Sequence, residues 1–483
     1  MNFLPLVCIA ALLVTVPVYA KTVPLAQRVA AVLANAPVGT RFGVLVVDAN
    51  DREVVAINPD QRFIPASNTK LFTTAAAYVL MGGMEGPDRA GGTGVALLPG
   101  RAGRADVVLT GFGDARMSSA PDCVSDCLAM LADAVAAKTR KVGDVIGDDS
   151  WFPDERWSPG MSWNNIGTES GTGISALSLD DNALPITVTP TRAGEPPLVE
   201  FPAYLKLINA AVTSAEGNNT LAIQRDVNGG AVRLVGSIPL GGVWHDRLGI
   251  DDPAHYAAAT LRRMLIARGV KVRGTVKVRH RPLGPGDDPL LRAGLAVTAP
   301  APGPFVARLV PAPLSADITI INKLSQNLHA ELLVRRIGRL AGTGSLADGT
   351  AAMRGVAERA GAMRAGYDFS DGSGMSSYNR LSPRAAVSLL RWAQSQPWGA
   401  AWRASLPVGG IDPGLRRRFA GTPLQNRIFA KTGTLNATHA LSGYLVAASG
   451  RELAFSILAN DVPDGASALR AIDAALLSIA EAN

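Results

Sequence analysis

A serine and a lysine three positions apart, Ser67 and Lys70, have side chains suited to nucleophilic chemistry. The apolar residues that follow them predict a helix buried on all sides, and residues three apart lie on the same side of a helix. A lysine in the first turn opposes the helix dipole, and burial lowers its pKa, so its amine could remove the proton of the serine hydroxyl. The alternative is a capping serine followed by an unrelated lysine.

Two later segments carry further hydroxyl, amide and amine groups. Ser325 and Asn327 occupy a polar break between apolar helical runs at 314–321 and 328–340, and helix capping would explain either residue. The other segment is a predicted strand in which a glycine could mark close approach by a ligand. A turn before the next strand is the alternative for this segment. Its residues are Lys431, Thr432, Gly433 and Thr434.

The elements that must position these residues come from both ends of the chain. Apolar strands are predicted at 43–48 and 53–58, and again at 438–448 and 452–460, and an apolar-periodic helix closes the chain at 466–480. This pattern predicts one antiparallel sheet assembled from the two termini. The intervening chain must then contain an insertion.

The chain between about 88 and 290 has the composition of such an insertion. It is rich in Gly, Pro and Thr, and short alternating stretches predict mostly β subdomains. One long helix, predicted at 253–268, interrupts them.

Composition excludes several classes of protein. With 47% hydrophobic and 18% charged residues among 483, the chain is not mainly disordered. A net charge of +7 without a run of five or more like charges argues against a nucleic-acid partner. Five His and three Cys lack paired zinc-ligand spacing, so neither a metal nor another cofactor is predicted.

The first 20 residues resemble a signal peptide. Residues 4–18 are almost wholly apolar, and Val18-Tyr19-Ala20 provides the small residues of a cleavage site before Lys21. A transmembrane anchor is the alternative, but an apolar run of about 15 residues is shorter than the roughly 20 needed to cross a bilayer. We therefore expect export and no stable membrane span. Cys123 and Cys127 would remain, either as a disulfide or as free thiols.

The three segments, in this order, resemble the Ser-x-x-Lys, Ser-x-Asn and Lys-Thr-Gly signatures of the penicilloyl-serine transferases. Ser67 and Ser325 are 258 residues apart, a long separation that is similar to the D-alanyl-D-alanine carboxypeptidase/endopeptidase family of penicillin-binding protein 4 type, peptidase family S13. Further stretches resemble this family over nearly the whole chain after the leader: 147–152, 174–182, 371–376 and 406–410.

The resemblance implies an α+β fold. A serine β-lactamase/DD-peptidase-like transpeptidase domain, an antiparallel sheet flanked by helices, would be formed by residues 21–87 and 291–483. Residues 88–290 would form a large, mostly β insertion, and residues 1–20 the signal peptide.

The resemblance also assigns the reacting groups. Ser67 would be the nucleophile that forms an acyl-enzyme, Lys70 the base that takes its proton, and Ser325 the relay to the leaving amine. The backbone N–H groups of Ser67 and Thr434 would form the oxyanion hole.

The remaining motif residues would bind substrate. Asn327 would hydrogen-bond the substrate amide, and Lys431 would supply positive potential. Thr432, Gly433 and Thr434 would hold the terminal carboxylate.

The expected activity is that of a periplasmic serine-type D-Ala-D-Ala carboxypeptidase/endopeptidase. Its partners would be peptidoglycan stem peptides that end in D-Ala-D-Ala, with β-lactam antibiotics as covalent inhibitors. A serine β-lactamase is one alternative, although no glutamate is recognisable as the activator of a deacylating water. A non-catalytic peptidoglycan-binding scaffold is another.

Two positions depart from the family pattern. Asp412-Pro413-Gly414-Leu415 replaces the usual Asp-Gly-Thr-Leu, and Gln326 occupies a position that is often acidic. Neither carries a reacting group, so we expect activity to survive. Asp371 and Ser373 could line the cleft or could simply form a turn.

Overall fold

The computed structural model describes residues 23–225, 229–292, 297 and 303–483. The predicted signal peptide at 1–20 lies outside the described residues. The helices are α1 (Leu25–Leu33), α2 (Thr69–Leu80), α3 (Leu128–Lys138), α4 (Pro253–Ala267), α5 (Leu314–Lys323), α6 (Asn327–Arg339), α7 (Leu346–Arg359), α8 (Pro383–Gln394), α9 (Gly399–Ala404) and α10 (Leu469–Ala482).

The strands fall into one group from the two ends of the chain and a larger group between them. They are β1 (Arg41–Val47), β2 (Glu53–Ile57), β3 (Gly94–Pro99), β4 (Ala105–Thr110), β5 (Lys141–Val142), β6 (Val145–Asp148), β7 (Ala183–Thr189), β8 (Leu198–Glu200), β9 (Lys206–Asn209), β10 (Val212–Ser214), β11 (Ala222–Arg225), β12 (Ala231–Val235), β13 (Ser237–Pro239), β14 (Trp244–Gly249), β15 (Lys271–Val272), β16 (Val276–Arg279), β17 (Ala307–Arg308), β18 (Tyr367–Asp368), β19 (Arg380–Leu381), β20 (Ile428–Leu435), β21 (Thr438–Val446) and β22 (Glu452–Asn460).

One five-stranded sheet joins the two ends of the chain, as the sequence pattern predicts. Its order is β2-β1-β22-β21-β20, and neighbouring strands are antiparallel. Its three central strands are buried on both faces, which explains why their sequences are almost continuously apolar rather than alternating. β20 is an edge strand, so one side of its backbone has no neighbour in the sheet.

Two hydrophobic layers cover this sheet. One face packs against α1 and α10, and its core includes Val44, Ile457 and Ile472. The other face packs against α2 and the helices from α5 to α9, with Phe72 and Leu458 in the shared core. The expected α+β architecture, an antiparallel sheet flanked by helices, is therefore confirmed.

α2 lies in the middle of the second layer, and its residues from Thr69 to Ala77 are all buried. It contacts α5, α6, α7 and α9, and it shares a hydrophobic core with the sheet. A helix enclosed on all sides must be apolar on every face, which is the pattern the sequence showed after Lys70.

The chain between β2 and α5 forms several smaller sheets. The largest has the order β16-β6-β4-β3-β17 and mixes parallel and antiparallel pairs, with α3 and α4 packed into its core. β17, at Ala307–Arg308, pairs with β3, so this sheet includes a strand that follows residue 290. Three short sheets built from β7 to β14, together with the two-stranded sheet β15-β5, complete the region.

Cys123 and Cys127 form a disulfide, which decides between the two states that the sequence left open. The bridge closes the loop that leads into α3, since Cys127 is the N-cap of that helix. Within the described part of the chain, no helix combines the length and apolar character needed to cross a membrane.

The close contact between β20 and β21 depends on a glycine. Gly443 pairs with Ala430, and a Cβ at position 443 would lie 2.1 Å from the carbonyl oxygen of Phe429 and 2.6 Å from Cα of Ala430. We expect Gly443→Ala to push β20 outward and to lower the free energy of unfolding by about 1–3 kcal/mol, measured by urea denaturation.

Gly355→Ala on α7 is the matched control, because a Cβ there meets no atom within 4 Å. In a helix this change should raise the free energy of unfolding by about 0.5–1 kcal/mol. Equal stabilities of the two variants would contradict the steric argument.

Candidate active site

Ser67 lies in a 3-10 turn, Ala66–Asn68, that leads directly into α2. Ala66 has a positive φ of 47°, and the side-chain amide of Asn68 donates to the carbonyl oxygen of Lys431 at 2.9 Å. This bond attaches the turn to β20. Ser67 is half-buried, whereas its neighbours Ala66 and Asn68 are fully buried, so Ser67 is the accessible residue of the turn.

The amine of Lys70 is fully buried and has three oxygen neighbours. Its Nζ lies 3.0 Å from Ser67 Oγ, 2.6 Å from Asn327 Oδ1 and 2.6 Å from the carbonyl oxygen of Ser373. The amide and peptide oxygens can only accept, so they take the two N–H bonds of a neutral amine. The lone pair of that amine must then point at the hydroxyl of Ser67.

The protonation of Lys70 is set by competing effects. Burial lowers the pKa of Lys70, the negative charges of Asp371 and Glu331 raise it, and the balance is about 7. A lysine with this pKa is partly neutral near neutral pH, which is the range in which a general base works best.

Ser325 and Lys431 form a second hydroxyl and amine pair. Ser325 lies between α5 and α6 with a positive φ of 60°, and Lys431 Nζ donates to its Oγ at 2.9 Å. The amine also donates to the carbonyl oxygen of Thr432 at 3.0 Å. Burial, followed by the nearby charge of Lys70, holds the pKa of Lys431 well below its usual value.

Asn327, the first residue of α6, links the second pair to the first and to the insertion. Its Oδ1 accepts from Lys70, while its Nδ2 donates to the carbonyl oxygen of Ser170 at 3.0 Å. The preceding Gln326 caps α6, since its Oε1 accepts from the N–H of Leu328 at 3.0 Å. Gln326 therefore performs the capping that an acidic residue at this position would provide.

The third predicted segment forms the last part of β20. Thr432 is half-buried and Thr434 is exposed, so both lie at the open edge of the sheet. Gly433 is buried, and a Cβ there would lie 2.7 Å from the carbonyl oxygen of Pro65 and 3.2 Å from Nδ2 of Asn68. The glycine thus allows β20 to approach the turn that carries Ser67.

The segment that departs from the family pattern at Pro413 and Gly414 begins with Asp412, which makes two structural contacts. Asp412 Oδ2 accepts from Lys323 Nζ at 2.6 Å and from the N–H of Val408 at 2.9 Å, so the end of α5 is fixed to the loop before β20. Gly414 follows with a φ of 80°, and a Cβ there would lie 3.5 Å from Thr432 Oγ1.

Some groups of the site were not found from the sequence. Sequence spacing does not reveal the contacts of three groups: the carbonyl oxygens of Ser373 and Ser170, and the carboxylate of Glu331. Asp371 is a buried turn residue whose oxygens accept the N–H groups of Gly374 and Ser376. The one available signal for Glu331 was an acidic residue within the apolar run of α6.

A cavity of about 480 Å³ opens beside Ser325 and Asn327. Its wall includes Glu169 and Ser170 from the insertion together with Arg116. Across the part of the chain that the structure describes, no three His, Cys, Asp or Glu side chains cluster so as to hold a metal ion.

A sequence profile of the D-Ala-D-Ala carboxypeptidase 3 (S13) family matches residues 25–482. The chain belongs to this family. A D-alanyl-D-alanine carboxypeptidase of Actinomadura sp. (strain R39) is 36% identical over 465 residues, which cover 92% of this chain and 82% of that protein. The D-alanyl-D-alanine carboxypeptidase DacB of Haemophilus influenzae is 23% identical over 446 residues, or 89% of this chain and 87% of that protein.

The crystal structure of penicillin binding protein 4 (dacB) from Haemophilus influenzae has the same fold. It matches this S13 chain with a TM-score of 0.77 at 20% sequence identity, covering 93% of this chain and 97% of that one. The family, the fold and the enzyme class predicted from the three motifs, a D-Ala-D-Ala carboxypeptidase, are therefore confirmed.

A buried histidine joins the insertion of this S13 chain to the helices around Ser325. His329 Nδ1 lies 2.5 Å from Asp317 Oδ1 on α5, and Nε2 lies 3.0 Å from Asp181 Oδ1 in the insertion. Burial alone would lower the pKa of His329, but the two carboxylates outweigh it and raise the pKa to about 10. His329 is therefore an imidazolium that holds two elements together.

We expect His329→Gln to lower the free energy of unfolding by about 3 kcal/mol at pH 6, because it leaves the buried carboxylate of Asp317 without its cationic partner. Since the pKa of His329 is raised in the folded state, its contribution is complete below pH 6.5 and is lost as the pH rises through about 10. Urea denaturation from pH 6 to pH 10 measures the difference. The exposed His245→Gln is the control, and a difference that does not change with pH would contradict the assignment.

Proposed function

We propose that this chain is a periplasmic serine DD-peptidase that trims peptidoglycan stem peptides ending in D-Ala-D-Ala through an acyl-enzyme on Ser67. The observation that carries the proposal is the environment of Lys70. Two acceptors occupy the N–H bonds of its neutral amine, and Ser67 Oγ is the third neighbour, at 3.0 Å. An amine arranged in this way is suited to removing the hydroxyl proton.

Acylation begins when Lys70 takes the proton of Ser67 and Oγ bonds to the carbonyl carbon of the penultimate D-Ala. The bond from that carbon to the terminal D-Ala nitrogen then breaks, and the nitrogen takes a proton from the hydroxyl of Ser325. Lys431, 2.9 Å from Ser325, returns a proton to it. The proton gained by Lys70 balances the proton lost to the leaving group. Water then attacks the ester carbonyl carbon, giving one proton to Lys431 as its hydroxyl joins the acyl group. Lys70 returns its proton to Ser67 Oγ as the ester bond breaks, which frees Ser67.

The open edge of β20 is the place where the substrate would lie. Thr432, Gly433 and Thr434 would bind the terminal carboxylate, and the protonated form of Lys431 would attract it. The N–H groups of Ser67 and Thr434 would stabilise the oxyanion of the tetrahedral intermediate. Asn327, whose amide already donates to Ser170, would bind the substrate amide.

Support for the wider proposal comes from the leader-like sequence and from relatives. Residues 1–20 have the pattern of a signal peptide, which fits a substrate outside the cytoplasm. Penicillin binding protein 4 from Haemophilus influenzae has been crystallised with a β-lactam, and that structure matches this chain with a TM-score of 0.72 at 19% identity, covering 94% of this chain and 98% of that one. We infer that β-lactams acylate Ser67 and that cross-linked peptides are cleaved as well.

A labelled penicillin tests the acyl-enzyme. We expect one stable label per chain on Ser67, found by peptide mass spectrometry, and no label on Ser67→Ala. Ser449→Ala is the matched control, because Ser449 is an exposed serine in the turn between β21 and β22. Rapid turnover of the drug would indicate a β-lactamase, and an absence of label would indicate a binding scaffold.

The pH dependence of acylation tests the role of Lys70. Because the base must be neutral, and the pKa of Lys70 is about 7, we expect the rate constant for penicillin acylation to be half-maximal near pH 7. Below that pH it should fall about tenfold per unit. Stopped-flow fluorescence between pH 5 and pH 9 measures it, and a rate that is flat over this range would exclude Lys70 as the base.

Two substrates separate the two peptidase activities. Release of D-Ala from a pentapeptide measures carboxypeptidase activity, and cleavage of a cross-linked dimer measures endopeptidase activity. Both activities should disappear in Ser67→Ala, because one acyl-enzyme serves both. Hydrolysis of either substrate by that variant would contradict a shared nucleophile.

A further inference from the structure

A buried ion pair lies on α6 behind Lys70. Glu331 and Arg335 are one helical turn apart, only 4% and 1% exposed, and Arg335 Nη1 donates to Glu331 Oε2 at 2.8 Å. The mechanism proposed above assigns no role to either residue. A buried ion pair often costs as much in desolvation as it returns, so stability alone is a weak reason for its presence.

The other oxygen of Glu331 holds a peptide turn. Glu331 Oε1 accepts from the N–H of Gly372 at 3.0 Å and from the N–H of Ser373 at 2.8 Å. The carbonyl oxygen of Ser373 then accepts from Lys70 Nζ at 2.6 Å. Glu331 therefore holds the N–H of Ser373, the residue whose carbonyl oxygen accepts from the base, while Asp371 Oδ1 holds the N–H of Gly374 on the other side of that carbonyl at 2.8 Å.

We propose that Glu331, held by Arg335, is a positioning residue for acylation: it fixes the Ser373 carbonyl so that the lone pair of Lys70 faces Ser67. The inference rests on the proposed function, since it assumes that Lys70 is the base. Without this anchor the 372–373 turn could move and release one N–H of the neutral amine. Its lone pair would then no longer be directed at the hydroxyl.

The charges around Lys70 add an electrostatic role to the geometric one. Titratable groups face it from three elements: Glu331 on α6, Asp371 in the turn, and Lys431 on β20. Asp371 is held by N–H donors, including the side-chain amide of Asn379 at 2.7 Å. Removing the negative charge of Glu331 should make the ammonium form of Lys70 less favourable.

The anchor also reaches the insertion. Arg335 Nη2 donates to the carbonyl oxygen of Glu155 at 2.9 Å, and Glu155 Oε2 accepts from the N–H of Leu346 at the start of α7. The alignment of Lys70 is thus connected through Arg335 to the chain between β6 and β7.

The experiment compares Glu331→Gln, which removes the charge, with Glu331→Asp, which keeps the charge but is one methylene shorter. The readout is the second-order rate constant for acylation by a fluorescent penicillin from pH 5 to pH 9, corrected for the labelled fraction. For Glu331→Gln we expect a plateau about tenfold or more below wild type and a half-maximal rate at lower pH. For Glu331→Asp we expect a similar loss of plateau with little change in the half-maximal pH.

Glu358→Gln on α7 is the control, because this glutamate is exposed, and it should leave the profile unchanged. The Glu331 variants could lose thermal stability while their acylation rates against pH, corrected for the labelled fraction, match those of wild type. That result would assign Glu331 a purely structural role and overturn the proposal. If Glu331→Gln fails to fold, a Glu331→Asp plateau within about twofold of wild type would also overturn it. If wild-type protein takes no label, the proposed function itself fails. This result is distinct from a failure of the positioning role of Glu331, in which wild type is labelled and the variants behave like it.

Discussion

The site depends on burying one amine in a place where water cannot solvate it. α2 is enclosed on all sides, so Lys70 must find hydrogen-bond partners in the protein, and each comes from a different part of the chain. Ser67 comes from the turn before α2, Asn327 from α6 and Ser373 from a loop between α7 and α8. Because an unpaired buried amine is costly, the contacts that satisfy it also fix these three elements relative to one another.

The sheet also fixes parts of the site relative to one another. β20 brings Lys431 to Ser325, and the side chain of Asn68 fixes the serine turn to the backbone of that same strand. Glycines at 433 and 443 permit these close approaches, since a Cβ at either position would meet a backbone carbonyl oxygen. The signature motifs are therefore packing motifs as well as chemical ones.

The sequence was sufficient to predict the parts of this arrangement that depend on apolar runs along the chain. Continuous apolar runs near both ends predicted the terminal sheet, and the apolar stretch after Lys70 predicted a buried helix. The resemblance of the motifs indicated that Ser67, Ser325 and Lys431 belong together, which spacing alone could not show. Peptide carbonyl groups such as that of Ser373 carry no side-chain signal. The state of Cys123 and Cys127 was also open, because four residues of spacing allow a disulfide without requiring one.

The order of the strands also determines when, during synthesis and folding, the groups around Ser67 come together. β1 and β2 precede Ser67, yet β1 reaches β20 only through β22 and β21, which are the last strands to be synthesised. A nascent or carboxyl-terminally shortened chain has the serine and its lysine but lacks the strand order that places Lys431 beside Ser325. Such long-range pairing is slow to form, so the site is not assembled until the segment from β20 to β22 has joined the sheet.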